Sequence, residues 1–308
     1  MRHRRQHRIA VSRYTLPLTL AYAIAIWFIG GLIGKQMWFQ FSLMLIATLV
    51  VAELNNRHAI MRTYTRTMSC SFLLMNMAIL PVFYTVGTGI TQLCFVTALL
   101  FLFWTYQDKA STSSTFIAFL LLSVASFWMI QLLYLVPIFW LIMRVYLLGL
   151  SWRTFWASLL GLVTPYWLVG GYFVYTKDVS DLSTHFLPLF AFHDAFNFQA
   201  ISIGNKLAFV LFVLMGIIGT IHFLYDRSKD KIRIRLLFYS FIMMSLFITA
   251  LIIVQPTLFN QLLPLLIVAT SPLIAHYVTF TDSRISAIVC LVLLLAMLVL
   301  TGFQLWGY

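Results

Sequence analysis

The chain has 308 residues, of which 62% are hydrophobic and 9% charged, against about 25% charged in an ordinary soluble domain. Its mean hydropathy is +0.96. These values exclude an ordinary water-soluble globule, a disordered chain, a nucleic-acid-binding domain with charged faces and a disulfide-stapled secreted module. The class that remains is a polytopic membrane protein.

The charge is strongly basic, with 20 Lys and Arg against 8 Asp and Glu, a formal net charge of +12. In a membrane protein such an excess first reports which loops lie in the cytoplasm. The three cysteines, Cys70, Cys94 and Cys290, fall in or at the start of apolar runs. We interpret them as small packing residues, and we predict no metal site and no cofactor.

The chain begins with a basic segment, residues 1–13, that holds five arginines and no acid. An apolar stretch follows over about residues 14–34. Small-x-small patterns occur near Ala21 and Ala23, but too few apolar residues precede them for a signal peptide. We therefore predict a cytoplasmic tail over residues 1–13 and an uncleaved first transmembrane helix.

Further apolar runs match the roughly 20 helical residues that cross a hydrocarbon core about 30 Å thick. A helix also satisfies its own backbone polar groups within the span. The predicted spans are 38–53, 69–84, 90–106, 155–175, 207–225, 236–254, 258–280 and 285–303.

Residues 111–149 form an apolar run that is too long for one comfortable span and short for two. The positive-inside rule favours an even number of crossings here, because the basic loops then share one side. A tight hairpin turning near Ser126 to Gln131, with Pro137 early in the returning helix, meets that condition, and so does a segment that re-enters from the cytoplasm. The hairpin gives about 11 spans (10–12), with the N-terminus cytoplasmic. Seventeen basic residues then lie inside and three outside, Lys35, Lys177 and Lys206.

The fold class predicted is therefore an all-α transmembrane helix bundle in a single domain, residues 1–308. Its longest external loop, 176–206, mixes phenylalanines with Asp, Asn and His. Aromatic residues beside polar ones, in a segment too polar to cross a bilayer, indicate an interfacial helix.

One candidate binding site lies at the cytoplasmic end of the second span, where Glu53 and Arg57 share a helix face beside Asn55 and Asn56. As a functional pair they would line a cavity or hold a lipid head group. The alternative is an interfacial ion pair that caps the helix end. A second candidate is a polar pocket near the external face, formed by Gln255, Asn260 and Gln261.

The external loop supplies candidate catalytic residues, because carboxylates and imidazoles serve as general acids, bases and metal ligands. Their spacing matches no metal motif, and a solvated loop is the alternative interpretation. His222 and His276 are expected near the cytoplasmic helix ends, within reach of water or a carbonyl; the alternative is a buried relay. The candidates are Asp178, Asp181, His193 and Asp194.

The motifs for nucleotide hydrolysis, zinc proteolysis and α/β-hydrolase chemistry are missing from the sequence. Anionic phospholipid head groups are the expected partners of the cytoplasmic basic rim. Other envelope proteins are possible partners, and nucleic acid is not expected to bind.

A local likeness lies in Ser151 to Trp156 and Ser158 to Trp167. With the hydrophobic pattern and the Asn55-Asn56 turn, this resembles an uncharacterised family, a domain of unknown function, of polytopic inner-membrane proteins of about this length from Bacteroidota-type bacteria. The resemblance implies no known activity. The chain is more distantly similar to two kinds of multi-span envelope-polysaccharide enzyme. It differs from the lipid-linked-sugar glycosyltransferases because its first external loop, Gly34 to Met37, lacks their acidic residue. It differs from the O-antigen polymerases, which use external arginines, because the predicted topology places every arginine inside.

Three functions stay open. The first is an accessory or assembly component of the bacterial cell envelope in the inner membrane. The second is an enzyme acting on a lipid-linked substrate, such as a glycolipid, at the external face. The third is a transporter or flippase, whose path would use Glu53, Arg57 and the stretch from Gln255 to Gln261.

Overall fold

The computed structural model describes residues 12, 14–176, 185–189, 196–199, 201–281 and 283–306. Within these residues the chain forms α-helices and 3₁₀-helices, and no β-strand. The predicted all-α class is confirmed.

Eleven α-helices of at least 11 residues lie in the described part of the chain. Each overlaps a predicted apolar run, and two of them share the run 111–149. They are α1 Thr15–Ile29, α2 Trp38–His58, α3 Thr67–Met77, α4 Val86–Leu102, α5 Thr112–Ala125, α6 Leu135–Val145, α7 Trp152–Thr176, α8 Ile203–Asp226, α9 Ile232–Val254, α10 Phe259–Phe280 and α11 Arg284–Trp306.

Six helical segments among the described residues are long and apolar enough to cross a membrane by length and composition. Three shorter apolar helical segments accompany them, 15–29, 112–125 and 130–145. Helices of this length and hydropathy are typical of an integral membrane protein. The six long segments are Trp38–His58, Val86–Thr105, Ile203–Lys229, Ile232–Val254, Pro256–Phe280 and Ile285–Trp306.

The helices run up and down in chain order. The Thr19 hydroxyl of α1 meets the Cys70 sulfur of α3 at 3.5 Å. Just beyond the ends of the two helices, the hydroxyl of Tyr84, in the 3₁₀ turn Leu80–Tyr84, donates to the Gly30 carbonyl at 3.0 Å. Residue numbers rise together across these contacts, so α1 and α3 are parallel and α2 returns between them. The contacts of α8 with α10 show the same relation.

The long run 111–149 is broken into two helices. α5 ends at Ala125, a 3₁₀ turn covers Ile130–Tyr134, and Pro137 is the third residue of α6. The Phe119 and Phe139 rings, each near the middle of its helix, pack at 5.9 Å between centroids. The break expected between Ser126 and Gln131 is present.

Two glycines allow close approach between neighbouring parallel helices. A Cβ atom at Gly219 of α8 would lie 2.6 Å from the backbone of Leu273 in α10, and one at Gly161 of α7 would lie 2.5 Å from the Phe116 carbonyl oxygen in α5. Small residues at such crossings let helix backbones pack tightly in a membrane.

The core is centred on α10, whereas α11 lies at the periphery. In the most apolar window of each segment, 89% of the residues are buried for α10 and 17% for α11. Pro264 and Pro272 interrupt the hydrogen-bond ladder of α10. The buried Gln92 amide donates to the Pro264 carbonyl at 3.0 Å and to the Asn76 side-chain oxygen at 2.9 Å. This neutral hydrogen-bonded group joins α3, α4 and α10.

The charged groups collect where α2, α8 and α10 end and where α3, α9 and α11 begin, which we call the basic end. The opposite end, where α8 begins and α11 ends, includes the exposed Lys35; we call it the far end. Of the predicted interfacial helix in loop 176–206, residues 185–189 are helical and 196–199 are described. Residues 177–184, 190–195 and 200 of that loop lie outside the described residues.

Candidate functional site

A buried acid and imidazole pair lies at the basic end. Asp230 stands in the short connection between α8 and α9, and His276 is near the end of α10. The Nε2 atom of His276 lies 3.2 Å from the Oδ2 atom of Asp230, and both side chains are 1% exposed. The helix ends therefore bring two ionisable groups together away from solvent.

Arg62, in the connection from α2 to α3, extends this pair into an ionic cluster. Its Nη2 atom lies 3.2 Å from the Asp226 carboxylate and its Nη1 atom 3.7 Å from the Asp230 carboxylate. Lys229 also pairs with Asp226. Two buried carboxylates thus face an arginine, a lysine and a histidine. We call these residues, Arg62, Asp226, Lys229, Asp230 and His276, the ionic cluster.

Aromatic rings enclose the His276 side of the cluster. The imidazole packs against the Phe238 and Phe280 rings at centroid distances of 5.0 and 4.8 Å, and the Arg62 guanidinium lies 3.9 Å from the Phe280 centroid. The His222 ring is 5.4 Å away. The Nδ1 atoms of both histidines lack a hydrogen-bond partner among the described residues.

A second histidine contact joins α2, α4 and α9 at the same end. His58, which is buried, meets the Leu100 carbonyl oxygen at 3.0 Å through Nε2 and the Arg233 guanidinium at 3.3 Å through Nδ1. A threonine contact, Thr67 to Thr279 at 2.8 Å, links α3 to α10. The basic end is therefore tied together by polar side chains from most of the helices that meet there.

The predicted Glu53 and Arg57 pair forms, but on the outside of α2. Their side chains are 44% and 51% exposed, and the Arg57 guanidinium lies 5.3 Å from the Trp104 ring. The pair is separate from the ionic cluster. Its position is that of an ion pair near a helix end, where such contacts contribute about 0–1 kcal/mol.

Asn55 and Asn56 have different environments. The buried Asn55 side chain donates to the Thr65 carbonyl and accepts from the Met61 amide, both at 3.1 Å. It thereby shapes the connection that carries Arg62. Asn56 is exposed.

The residues predicted for an external polar pocket also separate. Gln255 is buried beside the Tyr134 hydroxyl, and Gln261 is exposed. Asn260 accepts a hydrogen bond from Asn205 at 2.9 Å, and Asn205 in turn accepts one from Gln304 at 2.9 Å. We call Asn205, Asn260 and Gln304 the amide chain; it joins α8, α10 and α11 at the far end.

The candidate catalytic residues of the external loop, Asp178, Asp181, His193 and Asp194, lie outside the described residues. Within the described chain, no group of three or more His, Cys, Asp or Glu side chains could hold a metal ion.

The sequence interpretation missed the ionic cluster. It took the segment from Asp226 to Arg235 only as a marker of topology. Of its two alternatives for His276, contact with water or a carbonyl is wrong, because the buried His276 meets Asp230. One signal was available: Asp226 and Asp230, two of the 8 acidic residues, stand four apart among basic neighbours. Buried carboxylates need partners, so such a pair predicts an intramolecular cation.

Compared with known proteins, the chain matches no family model, no curated protein and no solved structure.

Proposed function

We propose that this protein is an accessory or assembly component of the bacterial cell envelope, embedded in the inner membrane. The observation that carries the proposal is that the buried acids of the ionic cluster and the central amides Gln92 and Asn76 pair with neighbouring side chains. Asp230 faces His276 and Arg62, and Gln92 faces Asn76. Groups paired in this way hold helices in register. Because these polar groups are used to hold the helices together, the protein acts through its outer surface, on membrane lipids and neighbouring proteins.

The same proposal includes eleven crossings with the basic end in the cytoplasm. One of the proposed crossings is α7, which is not among the six long apolar segments, and the positions of its aromatic residues support it. Trp152 near its start is 73% exposed and Tyr175 near its end is 86% exposed, and 23 residues of helix span about 35 Å. Aromatic residues at this separation fit the two interfaces of a bilayer. The positive-inside rule supports the orientation.

The outward face of α7 supports contact with a partner. Trp156, Trp167 and Tyr172 are at least half exposed, whereas the exposed residues of α11 are mainly aliphatic. Tryptophan and tyrosine are enriched where protein partners bind.

The test places a photo-crosslinking amino acid at Trp167 on α7 or at Val299 on α11 in the full chain, expressed in a bacterial host of the same class. The proposal predicts a protein adduct of defined mass from Trp167, and none from a buried control position, Phe241. A protein that purifies alone as a monomer, with no adduct at either outward position, would show that the accessory role is wrong.

A transporter or flippase is a second candidate, and the construction of α10 favours it. This helix is the most buried of the six long segments, contains two prolines and holds the buried Ser271, whose hydroxyl lacks a partner in the described chain. Interrupted helices with polar groups at membrane depth are typical of transporters. Glu53 and Arg57 lie outside such a path. Purified protein in liposomes that moves neither ions nor labelled lipids would remove this candidate.

The enzyme alternative depends on the four external residues Asp178, Asp181, His193 and Asp194. It requires at least one of their carboxylates. If alanine at all four leaves the chain fully able to restore a deletion strain, the enzyme alternative is wrong.

A further inference from the structure

An apolar groove opens between α1, α3 and α11 and reaches α8 and α10. Its volume is about 560 Å³, and its lining includes Leu18, Leu74, Met215, Leu294 and Met297. That volume is within the range of about 300–1,000 Å³ that small-molecule ligand sites have. The groove is separate from the ionic cluster, because none of the cluster residues lines it.

The groove has the length of one bilayer leaflet. Along α11 its lining runs from Ala287 to Met297, which is about 15 Å of helix. The hydrocarbon core of a bilayer is about 30 Å thick, so one leaflet supplies about half of that. The groove starts at the basic end, since Thr15 and Thr67, the first residues of α1 and α3, line it.

The mouth of the groove lies at the starts of α1 and α3. The N-cap residues Tyr14 and Arg66 form no side-chain capping hydrogen bond, and the first turn of a helix carries a partial positive charge. Arg66 is exposed, precedes the lining residue Thr67, and forms no ion pair among the described residues. Its neighbour Arg62, by contrast, is committed to the ionic cluster.

We propose that this groove is a binding site for one anionic phospholipid of the leaflet at the basic end. One of its acyl chains lies between α1, α3 and α11, and the phosphate meets Arg66 and the start of α3. The occupant is a lipid because an apolar groove of one leaflet's length ends at a cationic mouth. This site is independent of the accessory role proposed above, since it can be occupied whether or not a protein partner binds.

Two cysteines make the site measurable. Cys70 and Cys290 both line the groove, and Cys94 does not. A membrane-permeant maleimide therefore reports occupancy: phosphatidylglycerol added to the delipidated, detergent-solubilised full chain should slow labelling of Cys70 and Cys290, but not of Cys94. Native mass spectrometry of the same samples counts bound lipids. Phosphatidylcholine is the zwitterionic comparison, and inorganic phosphate tests the head group alone.

Matched variants separate charge from shape. Arg66→Ala should lower phosphatidylglycerol binding about fivefold, whereas Arg153→Ala, an exposed charge at the start of α7, should leave it unchanged. Ala287→Phe, which fills the groove, should abolish binding, whereas Val292→Phe, directed outward on the same helix, should not. Each variant is first checked for an unchanged unfolding midpoint.

The proposal is wrong if phosphatidylglycerol and phosphatidylcholine protect the two cysteines equally, or if Arg66→Ala binds as the parent does. Protection by inorganic phosphate alone would also overturn it, because the acyl chain would then have no role. None of these results depends on the crosslinked partner, so the two proposals fail separately.

Discussion

The two ends of the bundle join their helices by different chemistry. At the basic end, Arg62 and His276 meet buried carboxylates within 3.2 Å. At the far end, the amide chain of Asn205, Asn260 and Gln304 joins three helices with neutral hydrogen bonds of 2.9 Å. The connections are alike in role, since each ties α10 to its neighbours, but one uses full charges and the other uses none.

This difference shows where charged side chains can be buried in a membrane protein. Ionised groups inside a bilayer are costly, whereas side-chain amides are tolerated when they bond to each other. Charges retained at one end, among basic loops that face the same compartment, can form buried pairs and still lie close to water and lipid head groups. We therefore expect that disrupting the ionic cluster lowers the free energy of unfolding more than disrupting the amide chain does.

The largest effect is expected when the ionic cluster loses its central carboxylate. Asp230→Ala leaves His276 without its acidic partner and one side of Arg62 uncompensated, so we expect a loss of about 3–5 kcal/mol in the free energy of unfolding. Chemical unfolding in detergent measures it. The control is Asp108→Ala, an exposed acid at the same end. Equal free energies of unfolding for the two variants would show that the ionic cluster does not stabilise the fold.

A smaller loss is expected at the crossing between α8 and α10, which lies between the two ends. Gly219→Ala places a methyl group against the Leu273 backbone and should cost about 1–3 kcal/mol. The matched control is Gly171→Ala, where no atom lies within 4 Å of the added Cβ. That change should be neutral or stabilising, because alanine favours helix. If both variants are stabilised, the helices are not in close contact at Gly219.

The amide chain should respond more weakly than the ionic cluster. Asn205→Leu removes both hydrogen bonds of the chain, and such bonds average about 0.6 kcal/mol in membrane proteins. We expect a loss of about 1 kcal/mol in the same unfolding experiment. If Asn205→Leu lowers the free energy of unfolding as much as Asp230→Ala does, the two ends do not differ in the way described.

The smallest effect is expected for the exposed pair on α2. Glu53→Ala should change the free energy of unfolding by less than about 1 kcal/mol, because solvent and salt screen its interaction with Arg57. The difference should disappear as salt is added. If the free energy of unfolding falls by several kcal/mol independently of salt, Glu53 has a buried partner other than Arg57.

The sequence predicted the helices well and the cluster poorly, for a physical reason. Apolar runs of spanning length predict helices locally, and the basic loops predicted the break between α5 and α6. The contact of Arg62 with Asp226 joins residues 164 apart in the chain, so only the packed bundle brings them together. Asn55 shows the same limit: its position at a helix end was evident, but its bonds to the following connection were not.

The claim that the basic end faces the cytoplasm is tested most directly by single-cysteine labelling. Cys70, Cys94 and Cys290 are replaced by serine, and one cysteine is placed at Lys35 or Arg153, both exposed. A membrane-impermeant maleimide is then added to intact spheroplasts and to lysed membranes. We predict labelling at position 35 in intact spheroplasts and at position 153 only after lysis. The reverse pattern, or labelling of both positions in intact spheroplasts, would contradict the account.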